Sequence, residues 1–427
     1  MFRKLLTLNE AKDLVDSLGL KVLGSESASL LEAHNRVLAE DIVSPFYIPP
    51  FDRSTVDGYA VKAEDTSGAE ENQPVKLRNV GAISAGELPI ISLEKGEAVE
   101  IVTGAPIPNG ADAVVMVEDT EKKDEDVEIF NSVAKNDNVM RKGTDIRKGE
   151  TVLRKGQPLG SREMGVIAAL GKAKVSVFLV PKVAVLSTGA EVTQPGHDLP
   201  PGKIYDTNAF SLAGAVLESG GEPIYIGVAP DEKTRLAETL KKAIAQADVV
   251  VTSAGVSVGP KDLIPQTIDS LGKPGLVFSG IAVKPGKPTT MALIGKKPVF
   301  ALPGHPASAL LIFHLIVRPV VQRLAGKGAP ETETIKTLAG TRMFSAKGRR
   351  TFVMVNLKRD RLNRVVAKPV ETGASGAIMT LAKADGYLEI PENLQFIDEN
   401  DEVVVTLFDA HRDASASTGY LLKECST

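Results

Sequence analysis

The stretch from Lys182 to Leu324 constrains the fold most, because four near-continuous apolar segments alternate there with four amphipathic segments. The strand candidates read VAVLST (183–188), PIYIGV (223–228), DVVVTS (248–253) and PVFAL (298–302). The helix candidates are Asn208–Glu218, Lys233–Gln246, Leu263–Leu271 and Pro306–Leu324. Such an alternation is typical of a parallel sheet covered by helices on both faces. The sequence therefore predicts a doubly wound α/β domain, which we place at 181–326.

The regions on either side of this domain have different patterns. Residues 1–44 and 145–180 are predicted to form a helical or linking domain, with helices over Glu10–Leu18 (capped by Asn9), Ala28–Ala39 and Ser161–Leu170 (capped by Ser161). Between them, short strand candidates at 74–80, 98–103, 113–118 and 127–132 predict an inserted β-rich domain over 45–144. Strand candidates at 352–357, 364–369, 387–390 and 402–407 predict a small all-β domain over 327–427.

The amino-acid composition disfavours several classes of protein. A net charge of −4, 4% aromatic residues and no tryptophan disfavour a protein whose main partner is nucleic acid. The single cysteine, Cys425, excludes a disulfide framework and a thiolate metal cluster, and it favours a reducing compartment. The N-terminal stretch does not resemble a signal peptide, and the longest apolar stretch, 307–317, is about half of a membrane span. We therefore expect a cytoplasmic protein with no nucleic-acid or membrane partner.

Four loops are predicted to follow the strands of the sheet, where ligands bind in doubly wound folds. They contain Ser187-Thr188-Gly189-Ala190-Glu191; Asp231; Ser253 to Gly259 with Asp262 behind it; and Pro303-Gly304-His305-Pro306, followed by Ser308. Any one of them alone reads as an ordinary strand-to-helix turn, but four at one sheet edge predict a ligand site. The segment 255–261 has Pro260 before its lysine, and no G-x-G-x-x-G follows a strand, so a kinase-like or NAD-dependent enzyme is disfavoured.

Charged residues in turns suggest how a ligand is held. Lys284 and Lys287 lie on a Pro/Gly turn, which suits a phosphate, although a solvated surface turn remains the alternative. Carboxylates follow small or turn residues at five positions: Asp57, Asp145, Glu191, Asp231 and Asp262. With five histidines and one cysteine in the chain, any metal here is expected to have oxygen ligands, which favours Mg²⁺. Asp206 either caps the helix that begins near Asn208 or serves the site.

Seven blocks of sequence, taken together and in order, resemble one family. They are PPFDRSTVDGYAV (49–61), EIVTGAPIPNGADAVVMVE (100–118), STGAEV (187–192), IYDTNAFSL (204–212), SAGVSVGPKD (253–262), AVKPGKPTTMA (282–292) and ALPGHPASA (301–309). This series is similar to the MoeA family, the molybdopterin molybdenumtransferases related to gephyrin. The resemblance implies a helical part interrupted by a β-rich insert, a molybdopterin-binding α/β domain and a C-terminal β-barrel.

The resemblance also implies an activity and its residues. The expected reaction inserts molybdate into adenylylated molybdopterin, releases AMP and yields molybdenum cofactor. The family's functional acids fall on Asp57, Asp145, Glu191, Asp231 and Asp262, of which we assign Glu191, Asp231 and Asp262 to Mg²⁺ and the other two to the oxyanion and water. The predicted substrate-binding positions are Thr103, Ser187, Thr188, Gly189, Asp206, Ser253, Gly255, Ser257, Lys284, Lys287, Pro303, His305, Pro306, Ser308, Arg349 and Ser375.

The expected assembly is a homodimer in which the insert of one subunit closes the cleft of the other. Further expected partners are an upstream adenylyltransferase and the apoproteins of molybdoenzymes. Four positions depart from the family pattern, which usually has Asp at Ala190, Gly at Ala254 and Asn at Arg53 and His305. These departures leave open a preference for tungstate and a non-catalytic pterin-binding scaffold or carrier. The sister adenylyltransferase shares the α/β domain, but the SAGVSVG loop and the flanking domains point away from it.

Overall fold

The protein divides into two compact units. The computed structural model describes residues 5–253, 263–328, 332–370 and 378–408. Residues 1–39 and 176–427 belong to the first unit, and residues 40–175 belong to the second. The finer four-domain division expected from the sequence stays a prediction.

A six-stranded sheet forms the centre of the first unit. Its strand order is Glu222–Ala229, Lys182–Thr188, Val249–Ser253, Lys297–Leu302, Thr290–Ile294 and Pro274–Ser279. The first four strands run parallel. They are the four apolar segments identified in the sequence, so the α/β fold class is confirmed.

The last two strands are antiparallel and were missed in the sequence. The connection between Ile294 and Lys297 is a two-residue hairpin turn in which Gly295 has φ of +64°. Pro274 and Gly275 open the outer strand, and both residue types weaken a strand pattern. The sequence pattern of the outer strand, Pro274–Ser279, was therefore too weak to predict a strand. An edge strand tolerates such residues because it forms backbone hydrogen bonds on one side only.

Helices cover both faces of this sheet. The helices of the first unit are Leu8–Ser17, Leu30–Ala33, Thr207–Glu218, Lys233–Gln246, Leu263–Ser270, Met379–Lys383 and the long helix Pro306–Leu324, whose middle part, Phe313–Val317, has π-helical hydrogen bonding. The N-terminal helix, Leu8–Ser17, contributes Leu8, Ala11 and Val15 to the same apolar cluster as the long helix. By length and composition alone, the long helix could cross a membrane, but 72% of its 18-residue apolar window is buried inside the protein. Its apolar side chains are thus accounted for as core.

A closed barrel follows the α/β part. Its five strands are Thr334–Ala339, Arg350–Arg359, Val365–Pro369, Gly386–Ile390 and Glu402–Leu407. Arg350–Arg359 pairs with both Val365–Pro369 and Gly386–Ile390, and the remaining pairings complete the circle. The C-terminal β-barrel expected here is confirmed, with Thr334–Ala339 as an additional strand. The region is not all-β, however, because the helix Met379–Lys383 lies between two of the barrel strands. Short strands in the first unit are Ser25–Ser29, Val192–Thr193, Ile204–Tyr205, Val283–Lys284, Met343–Phe344 and Phe396–Ile397, and Lys174–Phe178 crosses the boundary between the units.

The second unit is rich in β-structure. Its mixed six-stranded sheet has the order Ala113–Met116, Gly58–Val61, Glu97–Ile101, Val75–Ile83, Asp126–Ile129 and Thr120–Lys123. Buried side chains on both sheet faces form two apolar clusters. Its other elements are the strands Ile42–Val43, Arg53–Ser54, Val139–Met140 and Thr151–Leu153, the 3₁₀ turns Ala63–Thr66 and Val117–Asp119, and the helix Ser161–Ala169.

Three helix predictions near the N-terminus and in the second unit need correction. The helix expected over Ala28–Ala39 covers only Leu30–Ala33, because His34 is extended and Asn35 has φ of +61°. The N-terminal helix is capped by Thr7 rather than Asn9, since Thr7 and Glu10 form a reciprocal capping box. The helix Ser161–Ala169 has Gly160, not Ser161, at its cap, and the Gly160 amide donates to Glu163.

Candidate functional site

A large cleft lies at the carboxyl ends of the parallel strands, where the sequence predicted a ligand site. Its volume is about 1340 Å³. The parallel register aligns Ser187 with Ser253, and Ser253 with Leu302, so the loops that follow these strands begin at one edge. The predicted residues that line the cleft are Ser187, Thr188, Glu191, Asp206, Ser253, Lys284, Lys287, Pro303, His305, Pro306, Ser308 and Arg349. The cleft thus brings together residues spread over more than 160 positions of sequence.

Asp206 is the centre of a buried hydrogen-bond network beneath the cleft. Its side chain is 2% exposed and accepts from Ser187 Oγ (2.7 Å), Tyr225 Oη (3.3 Å) and the Ala209 amide (3.0 Å). The Ser187 and Ser253 hydroxyls lie 3.0 Å apart. Burial, together with the neighbouring Asp206 carboxylate, raises the pKa of Tyr225 to about 12, which keeps its hydroxyl protonated as a donor. Asp206 therefore caps the helix Thr207–Glu218 and also binds Ser187 at the end of one strand and Tyr225 in the middle of the next.

Two buried polar atoms at the cleft have no hydrogen-bond partner among the described residues. They are Thr188 Oγ1 and Asn208 Oδ1. Asn208 donates through Nδ2 to the Gly304 carbonyl (2.7 Å), which fixes the helix against the Pro303–Pro306 loop. Buried polar atoms are almost always paired. These two are available to a bound ligand.

Basic side chains from three segments of the chain line the cleft. Lys284 and Lys287 lie on the Pro/Gly turn, whose shape depends on Gly286: its φ is +113°, and a Cβ there would lie 2.4 Å from Ile312 Cδ1. Arg349 lies immediately before the barrel strand Arg350–Arg359. Lys203, which the sequence did not single out, also lines the cleft and donates to the Ala190 carbonyl. These groups give the cleft the charge that a phosphate or oxyanion requires.

Two of the predicted metal-binding carboxylates come from neighbouring loops. A Cβ on Gly189 would lie 2.8 Å from both carboxylate oxygens of Glu191, so the absence of a side chain at Gly189 makes room for this group. Asp231 accepts from the Ala190 amide (3.3 Å), which connects its loop to the same turn. Asp262, the third, lies outside the described residues, and no cluster of three metal-ligating side chains occurs within them. The oxygen donors present fit a hard cation such as Mg²⁺.

The second unit holds Asp57, Thr103 and Asp145. Asp57 Oδ1 accepts from the Thr103 amide (2.6 Å) and from Thr103 Oγ1 (2.8 Å). These hydrogen bonds lower the pKa of Asp57 because they stabilise the carboxylate. Asp145 has an exposed side chain, and its amide donates to the Ile48 carbonyl (3.1 Å). The predicted Gly255, Ser257 and Ser375 lie outside the described residues.

Several cleft residues escaped the sequence analysis. Besides Lys203 they include Leu199, Tyr205, Phe344, Thr351, Phe352, Val353, Ile378 and Thr380. Tyr205 directly precedes Asp206, so its position in the IYDTN block was a usable signal. The residues from Phe344 onwards reach the cleft through the packing of the barrel, for which the local pattern gives no signal.

Three family models match the chain in order. The MoeA N-terminal region (domain I and II) matches residues 6–171, a probable molybdopterin binding domain matches 184–323, and the MoeA C-terminal region (domain IV) matches 336–408. The chain belongs to the MoeA family. This result confirms the resemblance that the seven sequence blocks indicated.

Individual relatives are similar to this chain over most of its length. The "Molybdopterin molybdenumtransferase 2" of Mycobacterium tuberculosis is 35% identical over 86% of this chain and 90% of its own. The "Molybdopterin molybdenumtransferase" of a Nostoc species is 35% identical over 89% and 88%, respectively. A molybdopterin biosynthesis MoeA protein from Pyrococcus horikoshii has 43% identity and a TM-score of 0.83, with coverage of 95% of this chain and 100% of that one.

Proposed function

We propose that this MoeA-family chain is a molybdopterin molybdenumtransferase, which inserts molybdate into adenylylated molybdopterin and releases AMP. The observation that carries the proposal is the cleft itself. It places Lys284, Lys287 and Arg349 together with the hydroxyl-bearing strand ends of a domain that matches a molybdopterin-binding model. Relatives that cover most of the chain are named for this activity.

The cleft residues would hold the anionic parts of the substrate. Lys284 and Lys287 on their constrained turn act as fixed charges toward the phosphates and stabilise the charge that develops as the phosphoanhydride bond is broken. Thr188 Oγ1 and Asn208 Oδ1 are buried groups that a ligand can satisfy. Asp206 holds Ser187 and the start of the helix Thr207–Glu218 in place, and is thus a positioning residue.

Mg²⁺ dependence is part of the proposal. Glu191, Asp231 and Asp262 would hold the ion, and the loops of the first two are joined through the Ala190 amide. When bound, Mg²⁺ neutralises phosphate charge and orients the anhydride. Asp57 and Asp145 are assigned to placing the oxyanion and water. Because carboxylates repel molybdate, these roles require the metal ion and the lysines.

The direct experiment measures AMP release from adenylylated molybdopterin as molybdate is added. We expect release that depends on molybdate, that falls when EDTA removes Mg²⁺, and that falls at least about a hundredfold in Lys287→Met. Lys241→Met is the matched control because Lys241 is an exposed lysine on the helix Lys233–Gln246. No release with either molybdate or tungstate would contradict the proposal.

Two alternatives have specific support. A non-catalytic pterin-binding scaffold is favoured by Ala190 and His305, where the family usually has Asp and Asn; such a scaffold would bind molybdopterin equally well after Asp262→Ala and show no turnover. A tungstate-preferring enzyme would release AMP faster with tungstate at equal concentration. We further propose that the protein is a cytoplasmic homodimer. An upstream adenylyltransferase would deliver its substrate, and molybdoenzyme apoproteins would receive its product.

A further inference from the structure

A second cavity lies between the N-terminal helix Leu8–Ser17 and the C-terminal half of the long helix. Its volume is about 450 Å³, and within the described ranges its lining residues differ from those of the large cleft. Val15, Leu315 and Ile316 contribute apolar side chains to its wall. Small-molecule sites typically have volumes of about 300–1,000 Å³ and are mostly apolar with a few polar groups. This cavity has both properties.

The charges on the wall are unbalanced. Lys12, Arg323 and Lys327 contribute three cations, whereas Asp16 contributes one carboxylate. Asp16 is already paired with Arg323. Neither Lys12 nor Lys327 forms an ion pair with a carboxylate in the part of the chain that the structure describes. Among the described residues, no carboxylate therefore lies within ion-pair distance of these two ammonium groups.

The surroundings of these two lysines disfavour their charged forms. The pKa of Lys12 is lowered: desolvation is the largest cause, and the repulsion from Arg350 acts in the same direction, against the attraction of Glu389 and Asp16. Desolvation and the repulsion from Arg318 lower the pKa of Lys327. The Lys327 ammonium fits beside Gly220, where a Cβ would lie 2.9 Å from Nζ. An incoming anion would offset both the desolvation and the repulsion.

We propose that this cavity is a binding site for a small amphipathic organic anion, in which Lys12 and Lys327 hold a phosphate or carboxylate and the apolar wall holds the attached hydrocarbon. The apolar wall favours such a ligand over a bare inorganic ion, which would leave that wall unused. The proposal does not rest on the transferase activity, because none of the described residues that line this cavity also lines the cleft.

Phenyl phosphate is a suitable probe, and isoleucine methyl resonances in the full-length protein locate where it binds. Ile316 lines the cavity, whereas Ile378 lines the large cleft, so the two methyl groups report on the two places separately. We expect the Ile316 resonance to shift saturably with phenyl phosphate. Inorganic phosphate lacks the apolar group and the neutral benzyl alcohol lacks the negative charge, so each should bind at least about tenfold more weakly than phenyl phosphate.

Variants test the two lysines. Lys12→Met and Lys327→Met should each weaken the Ile316 response at least about tenfold, while Lys12→Arg, Lys327→Arg and the control Lys241→Met leave it within a few-fold. If a methionine variant has an altered melting temperature, the arginine variant at the same position shows whether the weaker binding comes from the lost charge or from the altered stability. Shifts confined to Ile378, undiminished binding in both methionine variants, or equally tight binding of inorganic phosphate would each overturn the proposal.

Discussion

Hydrogen bonds to a single carboxylate oxygen set the charge of Asp57. Both bonds come from Thr103, one through its amide and one through its hydroxyl. Each bond is made to the ionised form, which is why the pKa of Asp57 lies below its ordinary value although the group is exposed to water. Any role for Asp57 in placing an oxyanion or water thus begins from a carboxylate that stays charged in mild acid.

Thr103→Val should raise the pKa of Asp57 toward its ordinary value, because the variant keeps the amide donor and loses the hydroxyl. A depressed folded-state pKa adds stability above the unfolded-state pKa, and this stability is lost as the pH falls through the folded-state pKa; the variant should lose it at a higher pH. A carboxyl carbon NMR titration measures the change. Thr144→Val is the control, since its hydroxyl donates to the Arg141 carbonyl. An unchanged Asp57 pKa would show that the hydroxyl is irrelevant.

Asp206 joins the start of the helix Thr207–Glu218 to the central sheet. The side chain accepts from the Ala209 amide in the first turn of the helix Thr207–Glu218 and from the hydroxyls of Ser187 and Tyr225 in the sheet. Asp206→Ala should reduce the free energy of unfolding by about 2–4 kcal/mol, because a cap is lost and buried hydroxyls lose their acceptor.

Asp206→Asn should cost less, since the amide oxygen still accepts from Ala209 while the NH₂ group cannot accept from Tyr225. Urea denaturation measures both changes. Tyr225→Phe is the matched comparison, as it removes one donor and leaves the cap intact. Equal stability of Asp206→Ala and the wild type would refute the role of this network.

The long helix carries a buried histidine toward the barrel. His314 lies 5.1 Å from Phe408 and 6.1 Å from Phe313, measured between ring centroids, and burial together with Arg318 lowers its pKa to about 3. Since the unfolded chain takes up this proton near pH 6.5 and the folded chain does not, stability falls as the pH drops below 6.5. The loss from this residue should reach about 2 kcal/mol at pH 5.

His314→Gln should remove this part of the acid sensitivity while keeping a polar group beside Arg318. Urea denaturation of both proteins at pH 7.5 and pH 5.0 tests this. We expect the two stabilities to converge, or their order to reverse, at the lower pH. The exposed His197, replaced by Gln, is the control. The same pH dependence in wild type and His314→Gln would argue against a neutral, buried imidazole.

The sequence predicted those elements whose local pattern agrees with their place in the fold. Three of the four parallel strands, Lys182–Thr188, Val249–Ser253 and Lys297–Leu302, are buried along almost their whole length, so their apolar runs stand out, and the turns after them supply part of the cleft lining. The antiparallel hairpin carries Pro274 and Gly275, which hide its pattern. Phe344 and Ile378 reach the cleft only because the barrel packs there, and tertiary packing leaves no periodic trace.

The proposed homodimer makes a quantitative prediction. If the insert of one subunit completes the cleft of the other, inactive Asp57→Ala and inactive Asp262→Ala subunits should restore activity when mixed. Each mixed dimer then has one site with both substitutions and one with neither. Random exchange makes half of the dimers mixed, so about a quarter of the wild-type activity should return.

AMP release after subunit exchange, verified by mass-tagged subunits, measures the recovery. Mixing Asp57→Ala with itself is the control and should recover nothing. Absent recovery despite exchange would rule out a shared site, and a monomer at the assay concentration would rule out the dimer.

The chain leaves the first unit at residue 39 and returns at residue 176. On the ribosome, the N-terminal helix therefore emerges long before its packing partners: Leu8 and Val15 share a cluster with Leu311 and Leu315, roughly 300 residues later. At about 5–20 residues per second, that interval is on the order of 15–60 s. During this time the second unit is already complete, while an amphipathic helix waits with its apolar face uncovered. Nascent chains stalled before residue 311 should consequently be the form of this protein most in need of chaperones.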